Sequence, residues 1–442
     1  MKYVETMEHK PSGKTNNEVL IAAIFNSGFA DAHDTYNAIT AASDGKIYYV
    51  LSSEKYSVAG RFFVFDPAAG IIQLIGDLTD LCGESHALSI AQGKSHVEFY
   101  EYQGKLFFAT HVGYYELIDG MDRMARNPPE GYGLYRGGHL LSYDLETGSV
   151  ERLALIPDGE GVVSMVMDTD RGHIFCITWP TGHFIFYDVT TGVLKNKRKL
   201  NGDGENGIPG KDFRSLCRSL VVDPRTGCAY ASTAEGNIFC YDPARDQLYC
   251  VEGVDLRKDY FGKYDFTQPG SMAYNWRKVF WYPGSKTVYG VHGNSGYLFV
   301  FDPVGNCLQV GPRLTSIPSK LSGMFDQFSY GYLGFTLGPD KETIYYLTGG
   351  PVYENGKRLK GVDAIAKGAA RGPENLHLVT YHIPSGYYQD HGPVYYADGG
   401  RPSYVNSIAV GADGYIYTIA RIEREGKIVA DLIRFKNPLQ AG

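Results

Sequence analysis

The chain has 442 residues, a formal net charge of −7, 43% hydrophobic and 21% charged residues. This globular balance argues against nonspecific nucleic-acid binding, which needs a basic surface. The 54 Gly, 35 Tyr and 22 Phe point to many short strands joined by tight turns, and few windows carry the 3.6-residue apolar period of a helix.

In chain order, the opening MKYVETMEHKPSGK is polar and does not read as a signal peptide. No later window is long and apolar enough to span a bilayer. The expectation is a soluble, cytoplasmic, monomeric chain; one whose leader had been removed would read the same. Within residues 17–35, EVLIAAIFNS offers a strand that could close the last repeat of a ring.

A repeat then begins. A small turn followed by an apolar-aromatic strand appears as DGKIYYV, QGKLFFAT, RGHIFCIT, TGCAYAST, SKTVYGVH, KETIYYLT and DGYIYTIA. Tyr48, Phe107, Phe175, Tyr230, Tyr289, Tyr345 and Tyr417 hold the same place in each copy. A second element follows: an aromatic strand, then Asp, then a turn. Asp66, Asp144, Asp188, Asp242 and Asp302 keep the acid, while Tyr381 and Phe435 mark two degenerate copies. An apolar strand precedes each unit, as in NAITAAS, HVEFYEY, VSMVMDT, RSLVVDP and NSIAVGA. Each unit therefore reads as a four-stranded antiparallel sheet, its strands A to D. One such sheet cannot bury both faces alone, but a radial array can. The expected fold is all-β, one seven-bladed β-propeller domain over 1–442, with six or eight blades as alternatives. A solenoid or sandwich array is the competing architecture.

Two long inserts, 115–138 and 351–375, fall between strands B and C and should rim one face. KNKRK at Lys195 to Lys199 is expected in or just beyond a C–D connection, as a solvated patch. The seven cysteines contain no CxxC pair and read as buried reduced thiols. Cys228, Cys240 and Cys250 fall in one unit, where a cross-strand disulfide is the alternative.

Propeller topology gathers the starts of the A strands and the ends of the B strands on one face. The A-starts supply His33, Asp34, Tyr36, Asn37, Lys94, His96, Arg214, Arg218, Asn275, Arg277, Tyr332 and Asn406. The B-ends supply His111, Trp179, His183, His292 and Asn294. Arg binds a carboxylate bidentately, aromatic rings pack on sugar faces, and His moves protons near neutral pH. Together they suit an acidic oligosaccharide or polysaccharide. No nucleotide, zinc-protease or serine-hydrolase signature lies in a suitable context. No close carboxylate pair of the glycosidase kind is expected on this face; Asp34, Glu98 and Asp326 are scattered. No cofactor is required. A structural or channel-bound divalent metal, Ca or Zn, has His292, Cys217 and nearby carboxylates as its candidate ligands, although no spacing demands it.

At GKSHVEFYEYQGKLFFATHVGYY, and through DGKIYYVLSS, GGHLLSYD, TWPTGHF and CRSLVVDP, the chain resembles the seven-bladed propeller polysaccharide lyases. These include the ulvan lyases and the rhamnose–glucuronate lyases; related propellers are rhamnosidases. The resemblance implies two His, a Tyr and an Arg acting on a uronic acid at the channel mouth. By motif, the His are His96 and His111, and the Arg is Arg218, with Arg214 as the alternative. Trp179 stands where the Tyr would be, leaving Tyr36, Tyr114 and Tyr115 as candidates. The implied reaction is β-elimination at a 4-linked uronate. The alternatives are rhamnosidase hydrolysis through His33 and a non-catalytic glycan- or protein-binding propeller. His33, Tyr36, Asn37, Tyr115, Trp179, Arg214, Arg277, His292 and Tyr332 are the expected substrate contacts.

Overall fold

The computed structural model describes residues 19–322, 334–351, 353–354, 357–358, 374–402 and 405–440. Five four-stranded antiparallel sheets follow one another along the chain. The first holds Ile39–Ala41, Ile47–Leu51, Arg61–Asp66 and Ile71–Asp77. The second holds Tyr100–Tyr102, Lys105–Ala109, His139–Asp144 and Val150–Leu155. The third holds Gly161–Asp168, His173–Trp179, His183–Asp188 and Val193–Lys199. Val221–Asp223 opens the fourth and Trp276–Tyr282 the fifth.

The remaining strands form one eight-stranded sheet. Leu20–Ile24 lies at its middle, antiparallel to Lys427–Lys436 and parallel to Tyr387–Tyr396. The N-terminal strand thus joins the last four-strand set and also bridges to the set before it. Innermost strands lie side by side: Gly161–Asp168 by Val221–Asp223, that strand by Trp276–Tyr282, and Ile39–Ala41 by Ala409–Val410. The architecture is all-β and propeller-like.

Local chemistry explains the repeat. Each recurring Asp ends a third strand and caps the turn that follows. Asp66 accepts from the backbone N–H of Ala68 at 2.9 Å, Asp144 from Thr147 at 2.8 Å, Asp188 from Thr190 at 2.8 Å, Asp242 from Ala244 at 2.9 Å and Asp302 from Val304 at 2.9 Å. An Asx turn of this kind reverses the chain within a few residues. The recurring aromatics fill the space between sheets: Tyr48, Phe107, Phe175, Tyr230, Tyr345 and Tyr417 are buried, and Tyr289 is half-buried. Pairing such as Phe175 with Tyr241, at 6.0 Å between centroids, joins adjacent sheets.

Residues 193–199 form the outer strand of the third sheet rather than a connection, and Lys195 pairs with Asp246 of the next sheet at 3.2 Å. All seven cysteines are free, Cys250 and Cys307 exposed and the rest buried, so the disulfide alternative finds no bond. Insert 115–138 does connect second and third strands, and it carries a hairpin of Glu116–Ile118 and Met121–Arg123. Insert 351–375 lies largely outside the described residues. Among the described residues, no helix is long and apolar enough to cross a membrane.

Candidate functional site

The site is built on the second sheet, one bridge beyond its first two strands. His111 donates its backbone N–H to the Lys94 carbonyl at 2.7 Å, and Lys94 returns the bond at 3.1 Å. Glycine makes this approach possible. A Cβ on Gly113 would fall 1.9 Å from the Ser53 carbonyl oxygen, and one on Gly93 would fall 2.4 Å from the Gly113 Cα. Below the bridge, buried Gln92 donates to Glu84 at 2.9 Å and accepts from Thr110 at 2.7 Å and Tyr135 at 2.8 Å. These bonds tie the end of the insert to the residue preceding His111.

Aromatic rings then follow one another across the face in a tilted stack, edge-on between Trp179 and Tyr115. The rings of Tyr36 and His96 lie 4.9 Å apart, His96 and His111 5.7 Å, His111 and Trp179 5.3 Å, and Trp179 and Tyr115 5.3 Å. His111, Trp179 and Lys94 are buried, while Tyr36, His96 and Tyr115 keep part of their surface exposed. Of the His pair, only His96 keeps exposed surface.

His111 Nδ1 lies 2.8 Å from the Val112 carbonyl oxygen, which can only accept. That contact puts the proton on Nδ1 and the lone pair on Nε2. Burial pushes His96 and His111 well below the ordinary imidazole value, and the positive field of Lys94 pushes the same way. Both rings are neutral bases near pH 7. His96 Nδ1 is buried without a hydrogen-bond partner among the described residues.

Lys94 is the central cation. Its ammonium sits 4.1 Å from the centroid of Tyr36 and 4.7 Å from that of Tyr115, and it donates to the Tyr115 hydroxyl. Burial lowers it to about 7. Tyr115 in turn reaches the Val112 carbonyl at 3.3 Å, and burial holds its phenol well above the usual range, hence protonated.

Arg218 borders this group; its charge is felt by Lys94, His96, His111 and Tyr115. Its guanidinium is already paired with Glu205 at 2.6 Å. The same carboxylate accepts from Trp179 Nε1 at 2.9 Å and from the Leu216 N–H at 3.0 Å. Arg218 is thus a bordering, internally paired cation.

The other expected contacts divide. Arg277 is buried, and its charge reaches His96. Asn37 is buried one residue from Tyr36. Arg214 turns to Glu235 at 2.5 Å and lies 4.7 Å from the Phe266 ring, outside the His stack. His292 is also outside it, stacked 4.2 Å from Phe261 and bonded to Ser295 at 2.9 Å; burial lowers it to about 3. Tyr332 lies outside the described residues.

His33 Nδ1 is 3.2 Å from Glu54, and His33, Asp34 and Glu54 present ligand atoms within 4.8 Å of one another. Two carboxylates therefore do approach on this face, contrary to the sequence expectation. Glu54 follows the second strand of the first sheet, so the rule that collected His111 also collects Glu54. Among the described residues, this trio, not His292 with Cys217, is the set a divalent metal could use. Asp34 is also paired with Arg421 at 2.8 Å. Elsewhere, Glu98 lies with Thr40, Thr336 and Leu337 along a cavity of about 330 Å³ between innermost strands, and none of the His-stack residues lines it.

No family model matches the chain, and no curated protein matches it. Among solved structures, the chain is similar to a Bacteroides uniformis protein that carries the name 6-phosphogluconolactonase. The identity is 10% and the TM-score 0.44, covering 84% of this chain and 95% of that one. It is also similar to a chain of a nidogen/laminin complex, at 11% identity and a TM-score of 0.35, covering 62% of this chain and 79% of that one. Likenesses this distant carry no argument about function.

Proposed function

We propose that the protein is a seven-bladed propeller lyase that cleaves a 4-linked uronic acid, of rhamnosyl-glucuronate or ulvan type, by β-elimination. The observation that carries this reading is the His96–His111 pair, two neutral imidazoles 5.7 Å apart beside a protonated Tyr and two cations. The blade count rests on five four-stranded sheets plus two four-strand sets joined through Leu20–Ile24.

His111 Nε2 takes the C5 proton. The C5–H electron pair becomes the C4=C5 double bond, and the C4–O bond breaks. The leaving oxygen takes its proton from Tyr115, supplying the donor that Trp179 cannot. Cationic stabilisation of the carboxylate makes the C5 proton acidic enough to remove, and Arg218 contributes to that field. His96 shares or relays the proton. Tyr36, on the half-exposed rim, meets the sugar.

A second reading is hydrolysis of a rhamnosyl-glucuronate through His33, favoured by its 3.2 Å contact with Glu54 beside Asp34. A panel of uronate-containing oligosaccharides separates the readings. Elimination yields the ultraviolet absorbance of an unsaturated uronate; hydrolysis yields reducing ends without it. No turnover across the panel, with glycan binding retained, favours a non-catalytic glycan-binding propeller.

A further inference from the structure

We propose that Lys94, rather than Arg218, is the direct counter-ion of the substrate carboxylate, and that the anion enters this site together with a proton. The identity of the sugar acid rests on the lyase reading; the anion site itself does not.

Among the described residues, no carboxylate lies within ion-pairing distance of Lys94, although it is only 3% exposed. An ammonium held between two tyrosine rings without a counter-ion is costly, and an incoming anion offsets that cost. Arg218 is in the opposite state, holding Glu205 at 2.6 Å. A carboxylate approaching Arg218 would have to compete with a resident one; at Lys94 it would not.

Among the described residues, the acids around Lys94 all lie beyond contact with it. From the start of the first sheet come Tyr36 and Asp34, and Asp34 is bound to Arg421. From the end of its second strand comes Glu54, bound to His33. The second sheet and its insert contribute His96, His111, Tyr115 and Asp122, and Arg218 adds a further positive charge. The acids attract Lys94 from a distance and Arg218 repels it, while burial dominates. His96, partly buried, adjoins Lys94, and its buried Nδ1 has no hydrogen-bond partner among the described residues.

Proton uptake follows from linkage. Lys94 lowered to about 7 is part-neutral at that pH. A bound carboxylate favours the ammonium, so binding draws in a proton, and affinity falls by about tenfold per pH unit once Lys94 is mostly neutral.

The test is calorimetric titration of the full chain with D-glucuronate and with its neutral methyl ester, from pH 6 to 9. The expected result is binding of the acid but not the ester. Near pH 8 the heat should vary with the ionisation enthalpy of the buffer. Lys94→Met should weaken glucuronate binding by about ten- to hundredfold and abolish the buffer dependence, and Lys94→Arg should restore binding without the buffer dependence. Circular dichroism and melting checks that each variant folds; if Lys94→Met does not, the Lys94→Arg readout alone decides. Equal binding of acid and ester, no binding of glucuronate, or buffer-dependent binding that survives in the variants overturns the proposal. Proton-linked binding without unsaturated product would leave the anion site standing and remove the lyase reading. Unsaturated product from a Lys94→Met enzyme with unchanged affinity would do the reverse.

Discussion

Lys94 and His111 exchange both backbone hydrogen bonds, at 3.1 and 2.7 Å, so the proposed counter-ion and the proposed base share one bridge. Neither can shift along the chain without breaking two bonds and disturbing the Gly93–Gly113 contact. A side chain placed by backbone pairing is held more tightly than one placed on a loop.

His111→Ala should lower turnover of a uronate substrate by about 10²- to 10⁴-fold, the usual contribution of a positioned base. Substrate binding should change far less, since in this mechanism His111 takes a proton and does not hold the carboxylate. Initial rates of unsaturated product, compared with glucuronate affinity, check this. Unchanged turnover would remove His111 from the mechanism.

Gly161 and Gly113 should respond differently to alanine. A Cβ on Gly161 would lie 2.9 Å from His111 Cγ and 3.0 Å from Nδ1. It presses first on the imidazole and, at 3.2 Å, on the His111 Cα, so turnover should fall by about tenfold or more, with a smaller drop in melting temperature than at Gly113. A Cβ on Gly113 would lie 1.9 Å from a backbone carbonyl. That overpacking should cost about 1–3 kcal/mol or more, visible as a lowered melting temperature.

Glu205→Ala removes the carboxylate from a pair whose side chains are 8% and 13% exposed, Arg218 and Glu205 respectively. Leaving a largely buried guanidinium unpaired costs about 3–5 kcal/mol, and Trp179 Nε1 loses its acceptor as well. Denaturant unfolding measures the loss. The double variant Glu205→Ala, Arg218→Met should recover part of it.

Acid should destabilise the fold through its buried histidines. Burial lowers His292 to about 3 and His391 to about 4, against an ordinary value of 6.5. The unfolded chain therefore binds protons that the folded chain refuses. Stability is full above about pH 6.5 and falls as pH drops from there towards 4. Denaturant midpoints between pH 4 and 8 should show this slope, and it should be shallower in His292→Phe. The catalytic profile should have its alkaline limb near pH 7, where Lys94 loses its proton, and its acid limb well below 6.5, where His111 gains one.

By itself, the sequence determined the strands and the hairpin that the two candidate histidines flank. The turn after each recurring Asp is an exchange between that side chain and backbone N–H groups two or three residues on, as at Asp188 with Thr190 and Thr191. Such bonds need no distant partner, so they are visible in any short window. His96 and His111 were readable together for the same reason: they flank one hairpin, Tyr100–Tyr102 with Lys105–Ala109. The tertiary structure alone decided what those residues meet. Arg214 and Arg218 lie four residues apart, yet one faces Glu235 and the other Glu205. Lys94 became a buried cation only because Tyr36 from the first sheet and Tyr115 from the insert close over it. Charge pairing and desolvation depend on which groups approach through space, and a chain that brings residue 36 against residue 94 leaves no local trace of having done so.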